Sequence, residues 1–179
     1  FCIVGEKEGR ESRKVADLRE FWNGQREITI MDPNILACPQ WEDLLRQLAE
    51  SNAWVDINQG ADIRLMTEQK ADALSSVKLK NIHFAWDNAK DDLREKFAFW
   101  AERCKRKFNK AFGMVYVLVN FNSSMEENLY RIYTLRDLGF DPYVMVFEKW
   151  NAPREIIRLQ RWCNSKWVFA KCKKFEEYE

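Results

Sequence analysis

Histidine is nearly missing from this chain of 179 residues: it occurs once, at position 83. The five cysteines, Cys2, Cys38, Cys104, Cys163 and Cys172, are scattered and form no CxxC pair, so the usual zinc-ligand spacings are not written here. Glycine is also scarce. Six glycines, none clustered, exclude the Gly-rich phosphate loops of both common kinds. An excess of charge is lacking as well: 29 Lys and Arg stand against 28 Asp and Glu, a net +1, which leaves no footprint for nucleic acid or an anionic membrane. The longest apolar run, AFGMVYVLVNF, is about half of what a bilayer-spanning helix needs. With an odd number of cysteines and no secretory pattern, the expectation is a cytoplasmic protein with reduced thiols.

What the chain does carry is a regular alternation. Five short runs rich in β-branched or aromatic residues recur about every 30 residues, the length of a βα unit: EITIM (27–31), WVDI (54–57), NIHFAW (81–86), MVYVLVNF (114–121) and YVMVF (143–147). Between them, Leu93, Phe97, Trp100, Cys104 and Phe108 make one apolar stripe at helical spacing. Helix punctuation marks the other connectors. Pro39 with Glu42 and Asp43 heads CPQWEDLLRQLAE, Thr67 caps EQKADALSSV, Ser124 and Glu127 have capping-box spacing before NLYRIYTLRDL, and Gly139 is its left-handed stop. KVADLREFW (14–22) predicts a helix ahead of the first strand, Asn151 and Pro153 open a last helix, and AKCKKFEEYE reads as a solvated helix end.

The runs at 114–121 and 143–147 are almost continuously apolar, so both their faces are expected to be covered, as in a parallel sheet flanked by helices. The fold class is α/β in a single domain over 1–179, with at least five parallel strands joined by right-handed helical crossovers. Pattern alone leaves two architectures open: a doubly wound sheet, and a partial TIM-like (β/α) barrel.

Polar residues gather where the strands end. Asp32, Pro33 and Asn34 follow the first run; Asn58, Gln59, Gly60, Asp62 and Arg64 the second; Asp87 and Asn88 the third; Asn120 and Asn122 end the fourth, and Glu148 the fifth. In parallel α/β folds ligands bind along that rim. Helix N-caps collect there too, a role that competes most for Asp87 and Asn122 and least for Gln59, Arg64 and Glu148. For Arg64 the alternative to ligand contact is an ion pair with Asp62 or Asp32. His83 sits inside an apolar strand and reads as a hydrogen-bonded core residue rather than a base. Trp41, Trp54, Trp86 and Trp100 read as packing residues. Trp150, Trp162 and Trp167 would close an open side or meet a partner, and Cys38, Cys104, Cys163 and Cys172 would serve as small hydrophobes.

The opening residues carry a more specific signal. Phe1-Cys2 followed by IVGEKEG, a helix, a strand and DPN resembles the radical S-adenosylmethionine superfamily just after its cluster-binding loop, a CxxxCxΦC run with Φ aromatic. Phe1 and Cys2 match the last two positions of that run. MDPNIL, VDINQGADIRLMTEQKADAL and IHFAWD are similar to the middle of the barrel in the methylthiotransferase-related group, so that the resemblance covers about residues 1–150. Asp32-Pro33-Asn34 stands where the superfamily commonly has a Gly-Gly-Glu-like word.

The resemblance implies a partial (β/α) barrel whose first strand and first two cluster cysteines lie ahead of Phe1. It implies a 4Fe-4S iron–sulfur cluster with Cys2 as one ligand, and S-adenosylmethionine lying across the strand ends. Asp32 and Asn34 would stand near its methionine part, Asp62 and Arg64 deeper, Asp87 near the ribose, and Asn120 and Glu148 along the rim. The implied activity is reductive cleavage of S-adenosylmethionine to start radical chemistry on an unknown substrate, with this chain alone expected to be inactive. A rival reading is a non-catalytic α/β barrel-like domain that binds a small ligand or a protein partner. A third is an ordinary α/β enzyme with an acid–base pair from Asp32, Asp62, Asp87 and Glu148. No nucleic-acid or membrane partner is expected, and an exposed sheet edge would invite self-association.

Overall fold

The computed structural model describes residues 4–7, 9, 11–108 and 113–178. A short helix α1 (Val4–Lys7) comes first, followed by β1 (Glu27–Ile30), α2 (Trp41–Ser51), β2 (Trp54–Ile57), α3 (Glu68–Ser76), β3 (Leu79–Ala85) and α4 (Arg94–Phe108). The chain continues through β4 (Met114–Val119), α5 (Met125–Leu138), β5 (Asp141–Val146), α6 (Arg154–Asn164) and α7 (Lys166–Lys171). The strands form one all-parallel sheet in the order β1-β2-β3-β4-β5. A doubly wound sheet requires a reversal of strand order, and none occurs, so the architecture is the sequential arc of a barrel-like α/β fold.

Sequential order with crossovers of one hand places the helices on one side of the sheet. In keeping with that, α2 packs on α3, α3 on α4 and α4 on α5. The strands alternate accordingly. Ile28, Val55, Ile57, Phe84, Val115, Val117 and Val144 are buried on the helix side, whereas Trp54, Tyr143 and Met145 on the other face are exposed. The expectation that both faces would be covered is therefore corrected for β5, whose Tyr143 and Met145 are exposed, while Leu118 on the same face of β4 is buried. Their runs read as continuously apolar because the face away from the helices carries Met114, Tyr116, Leu118, Tyr143 and Met145 in place of charges.

The helices arise where the punctuation put them. On α4 the stripe of Phe97, Trp100 and Cys104 is buried, and the Phe97 ring meets Phe84 of β3 edge-on at 6.0 Å between centroids. Thr67 caps α3, the Ser124–Glu127 capping box opens α5, and Gly139 closes it at φ 90°. The segment at 14–22 departs from expectation: it forms only a 3-10 turn over Leu18–Glu20. Polar anchors to α2 hold it there, since Lys14 pairs with Asp43 and the Leu18 N–H donates to Gln47 Oε1 at 2.8 Å. Trp162 belongs to the core, where it packs against Tyr133, Phe169 and Phe175, while Trp150 and Trp167 are exposed. Trp54 is half out of the core, with the Lys78 ammonium 4.6 Å from its ring centroid.

Helix α6 lies along β5. The Val144 N–H donates to Asn164 Oδ1 at 2.7 Å and the Asn164 amide returns a bond to the Val144 carbonyl at 3.0 Å, so a side chain completes one rung of an otherwise open edge. Among the described residues, no helix is long and apolar enough to cross a membrane.

Candidate functional site

The connections that leave the C-terminal ends of β1, β2 and β3 fold over one another. Gly60, at φ 112°, lets the β2 connection turn so that the Ala61 N–H reaches the His83 carbonyl at 2.8 Å; a Cβ on Gly60 would stand 3.4 Å from that oxygen. The Asp62 N–H donates to Asn34 Oδ1 at 3.2 Å, tying the β1 and β2 connections together. These contacts enclose a cavity of about 350 Å³ walled by Asn34, Gln59, Asp62, Arg64, Asp87 and Tyr116 among others. Four of the seven residues that the resemblance places along a bound ligand, Asn34, Asp62, Arg64 and Asp87, thus meet at one place.

Their roles differ. Asp62 caps the 3-10 turn over Ile63–Leu65 by accepting the Arg64 N–H at 3.0 Å, and its two oxygens take the Arg64 guanidinium at 2.8 Å each. Arg64 is mostly exposed, at 61%, so the local ion pair is the role the geometry gives it, and it is not a buried pair. Asp87 is the less committed carboxylate. Burial pushes its pKa up, against the pull of the Arg131 and Arg64 guanidinium groups.

Arg131 sits directly beneath. It occupies α5 on the inward face shared by Asn128, Ile132 and Leu135 and is fully buried. Its Nη1 donates to the carbonyls of Trp86 (2.6 Å) and Asp87 (3.2 Å), and Nη2 to Leu118 O (2.9 Å) and Asn128 Oδ1 (2.6 Å). Burial lowers its pKa to about 10, with Asp87 and Glu127 opposing, so it stays charged at neutral pH. A buried cation therefore gathers the carbonyls of Trp86 and Asp87, just after β3, and of Leu118 near the end of β4. Sequence reading missed this residue. The signal was present: an arginine at a helical spacing otherwise filled by inward-facing residues.

The other rim residues lie apart from this cavity. Asp32 lines a neighbouring cavity of about 600 Å³ between residues 11–18 and the β1–α2 connection, where Val15, Leu18, Ile30 and Leu48 supply apolar walls; Asn34 borders both. Asn120, in the left-handed region at φ 64°, donates from Nδ2 to the Phe147 carbonyl at 2.9 Å, and Glu148 at φ 44° opens a 3-10 turn. These two shape the loops after β4 and β5. Cys2 lies outside the described residues. Cys38, Cys104 and Cys163 are buried, and burial pushes the Cys163 thiol up to about 12, far from a thiolate. Among the described residues, no group of three His, Cys, Asp or Glu side chains is placed to hold a metal ion.

His83 is a satisfied, buried residue. Its Nδ1 is 3.1 Å from the Ile57 carbonyl and its Nε2 3.2 Å from the Asn81 amide nitrogen, so a neutral ring donating from Nδ1 meets both partners. Comparison with known protein families, with curated proteins and with solved structures finds no match for this chain.

Proposed function

We propose that the chain is the core of a radical S-adenosylmethionine enzyme and that the cavity at the C-terminal ends of β1 to β3 receives that nucleoside. The observation that carries this reading is the convergence of Asn34, Asp62 and Asp87 on one cavity of about 350 Å³ above a sequential parallel sheet. Asp62 is engaged by Arg64, which leaves the Asp87 carboxylate as the acceptor suited to a ribose diol and the Asn34 amide as a donor. The sequence words around DPN, DIR and FAWD support the same reading. The cluster that the resemblance implies finds no ligand set among the described residues, so no step is assigned to it.

The second reading, a non-catalytic domain that binds a polar ligand in the same cavity, rests on the same convergence of Asn34, Asp62 and Asp87, which by itself requires no cluster. Equilibrium dialysis with labelled S-adenosylmethionine tests the binding claim: saturable uptake, weakened by Asp87→Ala and Asn34→Ala, is expected, and a folded chain that takes up neither S-adenosylmethionine nor adenosine ends it. Anaerobic treatment of the full-length protein with iron and sulfide separates the two readings. A brown chromophore lost in Cys2→Ala supports the enzyme core, whereas nucleoside binding without iron uptake supports the binding domain.

A further inference from the structure

The near-zero net charge conceals a segregation. The stretch 149–174 holds eight of the chain's 29 Lys and Arg but one of its 28 Asp and Glu, Glu155, so a basic C-terminal segment stands against an acidic remainder. Seven of the eight cations are exposed, Arg158 being half-buried. Among the described residues, none of the eight is ion-paired with a carboxylate.

The fold gathers these charges on one surface. Arg154, Arg158 and Arg161 fall at i, i+4 and i+7, one face of α6. Arg158 Nε donates to Tyr178 O at 2.7 Å and its Nη2 to Phe175 O at 3.2 Å, while the Trp162 indole N–H donates to Cys172 O at 3.0 Å. These bonds lay the segment 172–178, with Lys173 and Lys174, alongside α6. Two bare indoles flank the charges. Trp167 on α7 is 81% exposed and shares its side with Lys171 at i+4, whereas Phe169 turns inward to meet Trp162 at 4.8 Å. Trp150, 80% exposed, sits beside Lys149 in the 3-10 turn that precedes α6.

A partner for this surface must bring repeated negative charge to the cations and flat π surface to the indoles. Single-stranded nucleic acid brings both, because its phosphates follow a basic track and its unpaired bases stack on exposed aromatic rings. An anionic membrane fits less well. Ile156, Leu159 and Trp162, the apolar side of α6, are buried in the core and leave no apolar stripe to enter a bilayer.

We propose that the outer surface of α6 and α7 docks single-stranded nucleic acid, with Arg154, Arg161, Lys171 and Lys174 meeting phosphates and Trp150 and Trp167 receiving bases. None of these residues lines the nucleoside cavity. Titrating a labelled oligothymidylate with the chain, read by fluorescence anisotropy, gives saturable binding whose log affinity falls linearly with log salt at a slope of about −3. Arg161→Gln combined with Lys171→Gln cuts that slope to about half. Trp167→Ala, at a position exposed enough to spare the fold, weakens binding about tenfold with the slope unchanged, and an abasic strand of equal length binds the parent at least about tenfold more weakly. Asp87→Asn leaves the oligonucleotide unaffected, so this proposal and the nucleoside reading fail separately. Equal affinity for the abasic strand, equal affinity for polyglutamate, a preference for phosphatidylserine vesicles, or no saturation in a folded chain overturns the proposal.

Discussion

The Arg131 guanidinium on α5 donates to the carbonyl oxygen of Trp86, the residue immediately after β3, at 2.6 Å. This bond connects the helix layer to the strand ends that carry the candidate site. Trp86 is itself held from both sides, by the Phe97 ring stacked at 5.6 Å and by its own indole N–H donating to Asp91 O at 2.7 Å. The position of Asp87, one residue on, therefore depends on a buried charged side chain.

Replacing Arg131 with Met keeps the volume of the stem but leaves the carbonyls of Trp86, Asp87 and Leu118 without these donors in a buried setting. The expected cost is about 3–5 kcal/mol, read as a lower urea midpoint. Arg131→Lys restores charge without the fork and recovers only part of it. A midpoint unchanged in Arg131→Met would show that the carbonyls find other partners and that the cation is not holding the mouth of the sheet.

Asp87 gives a pH signature. Its folded pKa is raised by burial, so the folded chain holds the proton more tightly than the unfolded one. Stability from this group is fully present below its ordinary value of 3.8 and is lost as the pH rises through the raised value. Asp87→Asn, which mimics the protonated form, is expected to melt above the parent at pH 7, with the difference closing in acid below pH 3.8. A variant that melts below the parent at neutral pH would mean that attraction to Arg131 and Arg64 outweighs desolvation.

Gly113 precedes β4 at φ 135°, and a Cβ there would lie 3.0 Å from the Ile82 carbonyl and 3.1 Å from the Phe84 ring. Gly113→Ala combines a disfavoured backbone with an overpacked contact and is expected to cost about 2–3 kcal/mol. Gly24 provides the control. It has φ 84° with nothing within 4 Å of the added atom, so Gly24→Ala carries only the backbone penalty of about 1 kcal/mol. Equal chemical-denaturation midpoints for the two variants would remove the claim that β4 packs this closely on β3.

How far the sequence reached follows from which forces are local. Capping at Thr67, the Ser124–Glu127 box and Gly139 act within a few residues, and all three were legible. The stripe on α4 was equally plain because one face of one helix sets it. Strand order is not local, so the arc became evident only from the pairing of β1 through β5. The exposed face of β5 was misjudged because Tyr143 and Met145 look like core in a linear pattern. Asn34, Asp62 and Asp87 come together because chain order fixes where strands end; Asn120 and Glu148 follow from the same rule, but Asn120 bonds to the Phe147 carbonyl after β5 and Glu148 opens a 3-10 turn, apart from that cavity. Arg131 escaped because a charge on a helix reads as solvated until its surroundings are known.

The edge at β5 offers the last test. In an isolated parallel edge the outward N–H and C=O of Val144 would be bare, and a second chain could pair with them. Asn164 occupies both, at 2.7 and 3.0 Å, and Gln160 Nε2 adds a bond to the same carbonyl at 3.2 Å. Asn164→Ala removes the acceptor for the Val144 N–H and leaves the carbonyl with Gln160 alone, so a loss of about 1–2 kcal/mol is expected. Because the freed donor faces outward from the strand, the variant is also expected to associate with concentration more than the parent, as read by light scattering on eluting material. Asn164→Asp keeps an acceptor for the N–H while turning the other arm against the carbonyl, and an anion at the edge opposes pairing. It should therefore lose stability without gaining association. Were Asn164→Ala to stay as monodisperse as the parent while losing the same stability, the side-chain rung would be a packing contact and not an edge guard.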